Sequence, residues 1–179
     1  MLKNFNKDRC YIIAEIGGNF TTFDEAKILV DLANNSGVDA VKLQTYKADT
    51  IVTKTAKFDL DNVGDMVQHQ LFQKYQIDFD LHKKVFDYIE SKGLDWFSTP
   101  SHKTDVDMLE ELGVKVHKIG ADDATNLPLI KYTAVYFIRG KFVASSAPIL
   151  CTFTPNSSSI STSVLCEGVE NQSSPFDSI

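Results

Sequence analysis

The sequence predicts an α/β domain made of consecutive βαβ units. Two observations carry the prediction. Short apolar runs alternate with amphipathic segments of helical period, and a glycine stands between most of these segments and the next run. The order strand, helix, glycine, strand recurs at roughly 20 to 30 residues, the length of a parallel crossover unit.

The first run, Tyr11 to Ile16, is apolar and stops at Gly17-Gly18, as suits a strand covered on both faces. Thr22 and Glu25 stand three apart and form a capping box that opens a helix. Ala26, Leu29, Val30 and Ala33 follow at helical spacing, and Gly37 sits where a glycine ends the helix. Ala40 to Gln44 is the second strand. Residues 45–79 hold a long polar loop and an extra helix around Asp65–Tyr75. Asp80 to Ser91 is amphipathic through Leu81, Val85, Tyr88 and Ile89, and Gly93 ends it. Leu94 to Ser98 is the third strand. Thr104 to Leu112 is a short helix closed by Gly113, and Lys115 to Ile119 is the fourth strand. Asn126 opens a last helix with Pro128 in its first turn, where a missing N–H costs nothing.

The pattern changes near Val135. Residues 144–179 contain ten serines and no lysine or arginine. Ser157 to Ser163 matches no helix or strand of a packed core and reads as a weakly ordered tail. The expected division is therefore 1–143 as a βα domain and 144–179 as a Ser-rich tail.

The chain has 179 residues and a net charge of −6, which argues against nucleic acid or an anionic membrane as the main partner. The three cysteines fit neither a zinc set nor a CxxC motif, and the N-terminus lacks the apolar core of a secretion signal. No stretch approaches the roughly 18 apolar residues of a membrane span. A cytoplasmic location is the expectation. No GxGxxG, GxxxxGK[ST] or GxSxG occurs, which sets aside a dinucleotide fold, a P-loop enzyme and a serine hydrolase.

Ligands of parallel βα arrays meet the carboxyl ends of the strands. Glu15 and Asn19 lie at the first such end. Lys42 and Gln44 lie at the second, Ser98-Thr99-Pro100-Ser101 at the third, and Lys118 with Asp122, Asp123 and Asn126 at the fourth. Two lysines with hydroxyls and amides suit a phosphate or carboxylate, and carboxylates beside them suit proton transfer or the orientation of a hydroxylated substrate. An outward polar face of a half-solvated sheet would show the same alternation of Lys42 and Gln44 with Val41 and Leu43. A lysine inside an apolar strand is costlier, because burial without a partner is penalised. Among the histidines, His69 and His82 read as surface residues of helices, His102 as a rim residue, and His117 as packing on the helix layer. No pair has metal-ligand spacing.

Four motifs carry a resemblance. They are Ile13-Ala-Glu-Ile-Gly-Gly-Asn19, Ala40-Val-Lys-Leu-Gln-Thr45, Phe97-Ser-Thr-Pro100, and the run from Lys118 to Ile130. In this order and spacing, over residues 10–134, the chain resembles the N-terminal catalytic domain of the N-acetylneuraminate (sialic acid) synthases. That group includes the legionaminic and pseudaminic acid synthases and related spore-coat polysaccharide enzymes. The resemblance implies a TIM (β/α)8-type barrel with about the first four to five βα units present. It also implies condensation of phosphoenolpyruvate with an N-acetylated amino sugar aldehyde, such as an N-acetylhexosamine-type sugar, to give a nonulosonic acid. A divalent metal, Mn2+ or Mg2+, and a homodimer are implied as well.

Carried over by position, the resemblance makes Glu15 a catalytic residue near the reacting centre. It makes Lys42, Ser98 and Lys118 phosphoenolpyruvate-binding, and Gln44, Asn62 and Asp123 sugar-binding. The chain departs from the pattern at Phe20, where many members have histidine, and at Ala121, where some carry a phosphate-binding serine. Gly140 to Ser146 only faintly echoes the family's fifth strand, and the later metal-binding histidines are not identifiable. The expectation is a truncated synthase half-barrel with both sheet edges open and little activity of its own. The alternative is a non-catalytic half-barrel that associates with a full-length synthase.

Overall fold

The computed structural model describes residues 2–6, 8–57, 67–137, 141–144, 150–152 and 161–165. In chain order the elements are β1 (Tyr11–Glu15), α1 (Phe23–Asn35), β2 (Ala40–Thr45), α2 (Ala48–Ile51), α3 (Gln68–Tyr75), α4 (Phe79–Ser91), β3 (Asp95–Pro100), α5 (Lys103–Glu111), β4 (Val116–Ile119), α6 (Leu127–Phe137), β5 (Lys141–Ala144), β6 (Leu150–Thr152) and β7 (Ser161–Leu165).

Local signals set these boundaries. The Thr22 hydroxyl accepts from the Glu25 N–H, and the Glu25 carboxylate accepts from the Thr22 N–H, so both halves of the capping box form. Asp78 caps α4 by accepting from the Leu81 N–H at 2.8 Å. Gly37, Gly93 and Gly113 end α1, α4 and α5 at φ of 74°, 78° and 80°, a region that suits glycine. The predicted extra helix is α3, starting at Gln68; the earlier part of that prediction lies outside the described residues.

The strands form one sheet in the order β5-β4-β3-β2-β1-β7-β6. β1 to β5 run parallel, as crossover helices require. β5 pairs with β4 from Val116↔Lys141 to Ile119↔Ala144, so the faint fifth-strand echo in the sequence is a strand in the structure. β7 lies antiparallel on β1, and β6 antiparallel on β7.

Two expectations are corrected here. Among the described residues the sheet still ends in two edges, but these are β5 and β6, because β7 covers the outer edge of β1. Ser161, Thr162 and Ser163 belong to a strand, although the Ser-rich run reads as none. The physical reason is the same for both. An edge strand offers unpaired N–H and C=O groups, and an extended Ser/Thr/Val segment satisfies them whatever its composition. The rest of the Ser157–Ser163 run lies outside the described residues.

The core lies between the sheet and its helices. Val41 and Leu43 on β2 meet Val30 of α1 and Val85 and Ile89 of α4, all fully buried. Removing each such side chain from water contributes about 1.5–3 kcal/mol. Trp96 of β3 stacks on Phe86 of α4 at 4.1 Å between ring centroids. Asp95 closes the amino end of the sheet, accepting from the Lys3 and Asn4 N–H groups and from the Tyr11 hydroxyl. Among the described residues, no helix is long and apolar enough to cross a membrane.

Candidate active site

Strand register sorts the polar residues of β1–β4 onto two faces. Glu15 pairs with Lys42, and Gln44 with Thr99, so these four share one face. On β4, His117 pairs with Ser98, which puts Lys118 on the face of Thr99. Thr45, Ser98 and His117 therefore face the helices.

On the first face, Lys42 and Glu15 form a buried ion pair. The second Glu15 oxygen accepts the Gly17 N–H at 2.8 Å, and the Lys42 ammonium donates to the Thr99 hydroxyl at 3.3 Å. Burial, and then the charge of Lys118, push the Lys42 ammonium down to about 7; Glu15 is the counterweight that favours the cation. Burial also lowers Lys118, against the opposing pull of Asp122 and Asp123. Gly17 permits the close approach. A Cβ there would stand 2.5 Å from the Gln44 backbone nitrogen and 2.8 Å from Glu15 Oε1.

Gln44, on this same face, also lines an adjoining cleft of about 490 Å³, together with Tyr46, Phe72, Asp122, Asp123 and Asn126 among others; Glu15, Lys42, Thr99 and Lys118 stand behind it and do not line it. Tyr46 and Phe72 meet edge to face at 5.5 Å, and burial pushes the Tyr46 phenol up to about 12, so it is a neutral hydroxyl at pH 7. Asn126 donates to Asp123 Oδ1 at 3.0 Å. The wall is thus an aromatic pair facing amides and carboxylates, a mixture that suits a polyhydroxylated ring.

On the other face, Thr45 Oγ1 lies 2.7 Å from Ser98 Oγ and 2.9 Å from His82 Nε2. His82 Nδ1 lies 2.8 Å from the Asp78 carbonyl, which only accepts. Nδ1 therefore carries the proton and Nε2 accepts from Thr45, whose oxygen is left to accept from Ser98. Burial pushes His82 down to about 4, in keeping with this neutral ring. His82 is wholly buried, which corrects its reading as a surface residue: α4 turns it inward because it satisfies a strand hydroxyl. His117 packs on the helix layer as expected, 2.6 Å from Glu110.

Of the sequence candidates, Glu15, Lys42 and Lys118 come to one face, with Gln44 and Asp123 on the adjoining cleft. Ser98 is not brought to them; it is fully buried on the opposite face. Asn62 lies outside the described residues. Sequence reasoning placed Thr99 at the third strand end but chose its neighbour Ser98 as the ligand-binding hydroxyl. Counting alternate residues back from Lys118 through the strand register would have chosen Thr99 instead. Among the described residues, no three His, Cys, Asp or Glu side chains are grouped to hold a metal ion. Glu15 is engaged by Lys42 and Gly17, and Asp123 by Asn126. The described residues do not offer a set that fits the expected divalent metal.

The NeuB family model matches residues 29–146. The match thus runs past the expected end near Ala134, to take in β5. The N,N'-diacetyllegionaminic acid synthase of Legionella pneumophila is 36% identical over 130 residues, covering 70% of this chain and 36% of that protein. The chain therefore spans little more than a third of this relative's length. The N-acetylneuraminic acid (sialic acid) synthetase of Leptospira borgpetersenii superposes with a TM-score of 0.62 at 21% identity, over 76% of this chain and 45% of the other. The spore coat polysaccharide biosynthesis protein SpsE of Bacillus subtilis gives 0.56 at 28% identity, over 76% and 36%. These neighbours are synthase barrels of the TIM type, and the parallel sheet with its helices here is part of such a barrel.

Proposed function

This chain belongs to the NeuB family, and from that premise we propose that its β1–β4 strand ends form the phosphoenolpyruvate and amino-sugar side of a nonulosonic acid synthase site. One observation carries the reading: a buried lysine, Lys42, faces Glu15 and Thr99 at the carboxyl ends of parallel strands, beside a polar cleft. Lys42 and Lys118 supply the positive charge for an anionic ligand, with Thr99 as the hydroxyl partner. Ser98 acts through Thr45 by tying β3 to β2. Glu15 faces the reacting carbon atoms. Gln44 and Asp123 orient the sugar, which enters through the cleft.

Burial lowers the Lys42 ammonium and Glu15 opposes that; an anion binds most strongly while Lys42 is a cation, so affinity falls as pH rises through its titration. Residues 1–143 stand as the synthase-like segment, and 144–179 as a divergent one that still adds β7 to the edge of β1. By itself, the 179-residue chain binds without efficient turnover.

Calorimetry with phosphoenolpyruvate tests the binding half, and a product assay with an N-acetylated amino sugar aldehyde and manganese tests the other. Saturable binding abolished by Lys42→Ala is the expected result. Binding that ignores Lys42 overturns the site. Nonulosonic acid formation by the purified chain overturns the claim of poor turnover and leaves the site standing.

A further inference from the structure

The Lys42 cation already has an anion, and it belongs to the chain. Glu15 projects from β1 onto the ammonium of β2, and both side chains are withdrawn from water. Among the described residues, the one hydroxyl joined to that ammonium is Thr99, at 3.3 Å. Glu15 has a second tie, the Gly17 N–H, which holds it in place without Lys42.

We propose that Glu15 is a built-in competitor for the anion site: it holds Lys42 as a counterion in the empty protein, and an anionic ligand exchanges with it. The inference rests on the anion site proposed above and concerns its regulation.

Three arguments support an exchange. A ligand anion cannot simply join the pair, because two anions on one buried ammonium repel at short range. Lys42 can turn away without being stranded, since Thr99 lies on the strand opposite. Glu15 keeps the Gly17 N–H when it lets go, and the loss of its counterion is the cost that the incoming anion must offset. The groups that face this exchange are Glu15 from β1, Thr99 from β3, Lys118 from β4, and Asp122 and Asp123 just after it. Among the described residues, only Glu15 is within ion-pair distance of Lys42. Apparent affinity falls in proportion to the fraction of molecules with a competent site. A self-paired Lys42 therefore binds weakly even when its intrinsic affinity is high.

The test uses inorganic sulfate, whose charge is constant near neutrality, titrated calorimetrically into the full chain at pH 6. Glu15→Gln keeps the acceptor for the Gly17 N–H and removes the charge. It is expected to bind sulfate about tenfold more tightly than the wild type, whereas Lys42→Ala shows no binding. Glu15→Gln binding no tighter, with Lys42→Ala still silent, overturns the competition and leaves the anion site intact. Equal binding by all three chains overturns the site itself. Should Glu15→Gln fail to fold, the carboxyl carbon resonance of Glu15 is followed in the wild type during the same titration. A shift that saturates together with binding supports the exchange, and an unmoved resonance overturns it.

Discussion

β2 and β3 carry polar side chains on both faces, and the two faces behave differently. Thr45, Ser98 and His82 form a closed chain on the helix side, each with a partner and none reachable from water. Glu15, Lys42, Thr99 and Lys118 on the other side form an unfinished one. Lys42 has a carboxylate and one long hydroxyl contact, and Lys118 remains partly accessible beside the cleft. Buried polarity alone therefore does not mark function. What marks it is charge gathered at the strand ends and left incompletely paired, with a cleft adjoining it at Gln44 and Asp123.

The comparison is broken most directly at Lys42. Lys42→Ala should abolish anion binding and cost about 3 kcal/mol in urea unfolding, because Glu15 is left as a charge without its counterion. Adding Glu15→Gln should recover most of the stability and none of the binding. Recovery of both would show that the two residues serve packing alone.

Acid separates the faces next. The His82 pKa is depressed when folded, so the neutral ring stabilises the fold fully above its unfolded value near 6.5. That contribution is lost as pH falls through about 4. Roughly 3 kcal/mol should disappear over this window in the wild type, beyond what a His82→Leu chain loses in parallel urea titrations. Anion affinity at pH 7 should differ between the two chains by no more than about twofold.

The finest test is the adjacent hydroxyl pair. Ser98→Ala should cost about 1 kcal/mol of stability and leave sulfate affinity unchanged. Thr99→Val should lower the affinity about fivefold, with stability within about 0.5 kcal/mol of the wild type. The opposite pattern would move the ligand to the helix side.

Much of this was legible in the sequence, and for local reasons. The capping box at Thr22 and Glu25 and the glycines at 37, 93 and 113 announce helix ends through short-range chemistry, so the first four βα units were placed to within a few residues. The lysines at 42 and 118 stood out because charge is rare inside buried strands. What was not legible depends on register or on distant partners. Ser98 and Thr99 are both hydroxyls at one strand end, and only pairing with β2 and β4 shows which of them faces Lys42. His82 has the spacing of an ordinary helix residue, and its partner is 37 positions away. The β7 strand has an unremarkable composition, and it exists because β1 offers an edge.

Gly17 carries a consequence of its own. The space where its side chain would project is already filled by the backbone of β2 and by Glu15. Even a methyl group would act as a shim between the ends of the first two strands, prising acid from base before it disturbed the core. Position 17 is thus the calliper of the site. It sets the gap across which Glu15 and Lys42 meet, and the size of residue tolerated there measures how finely that gap must be kept.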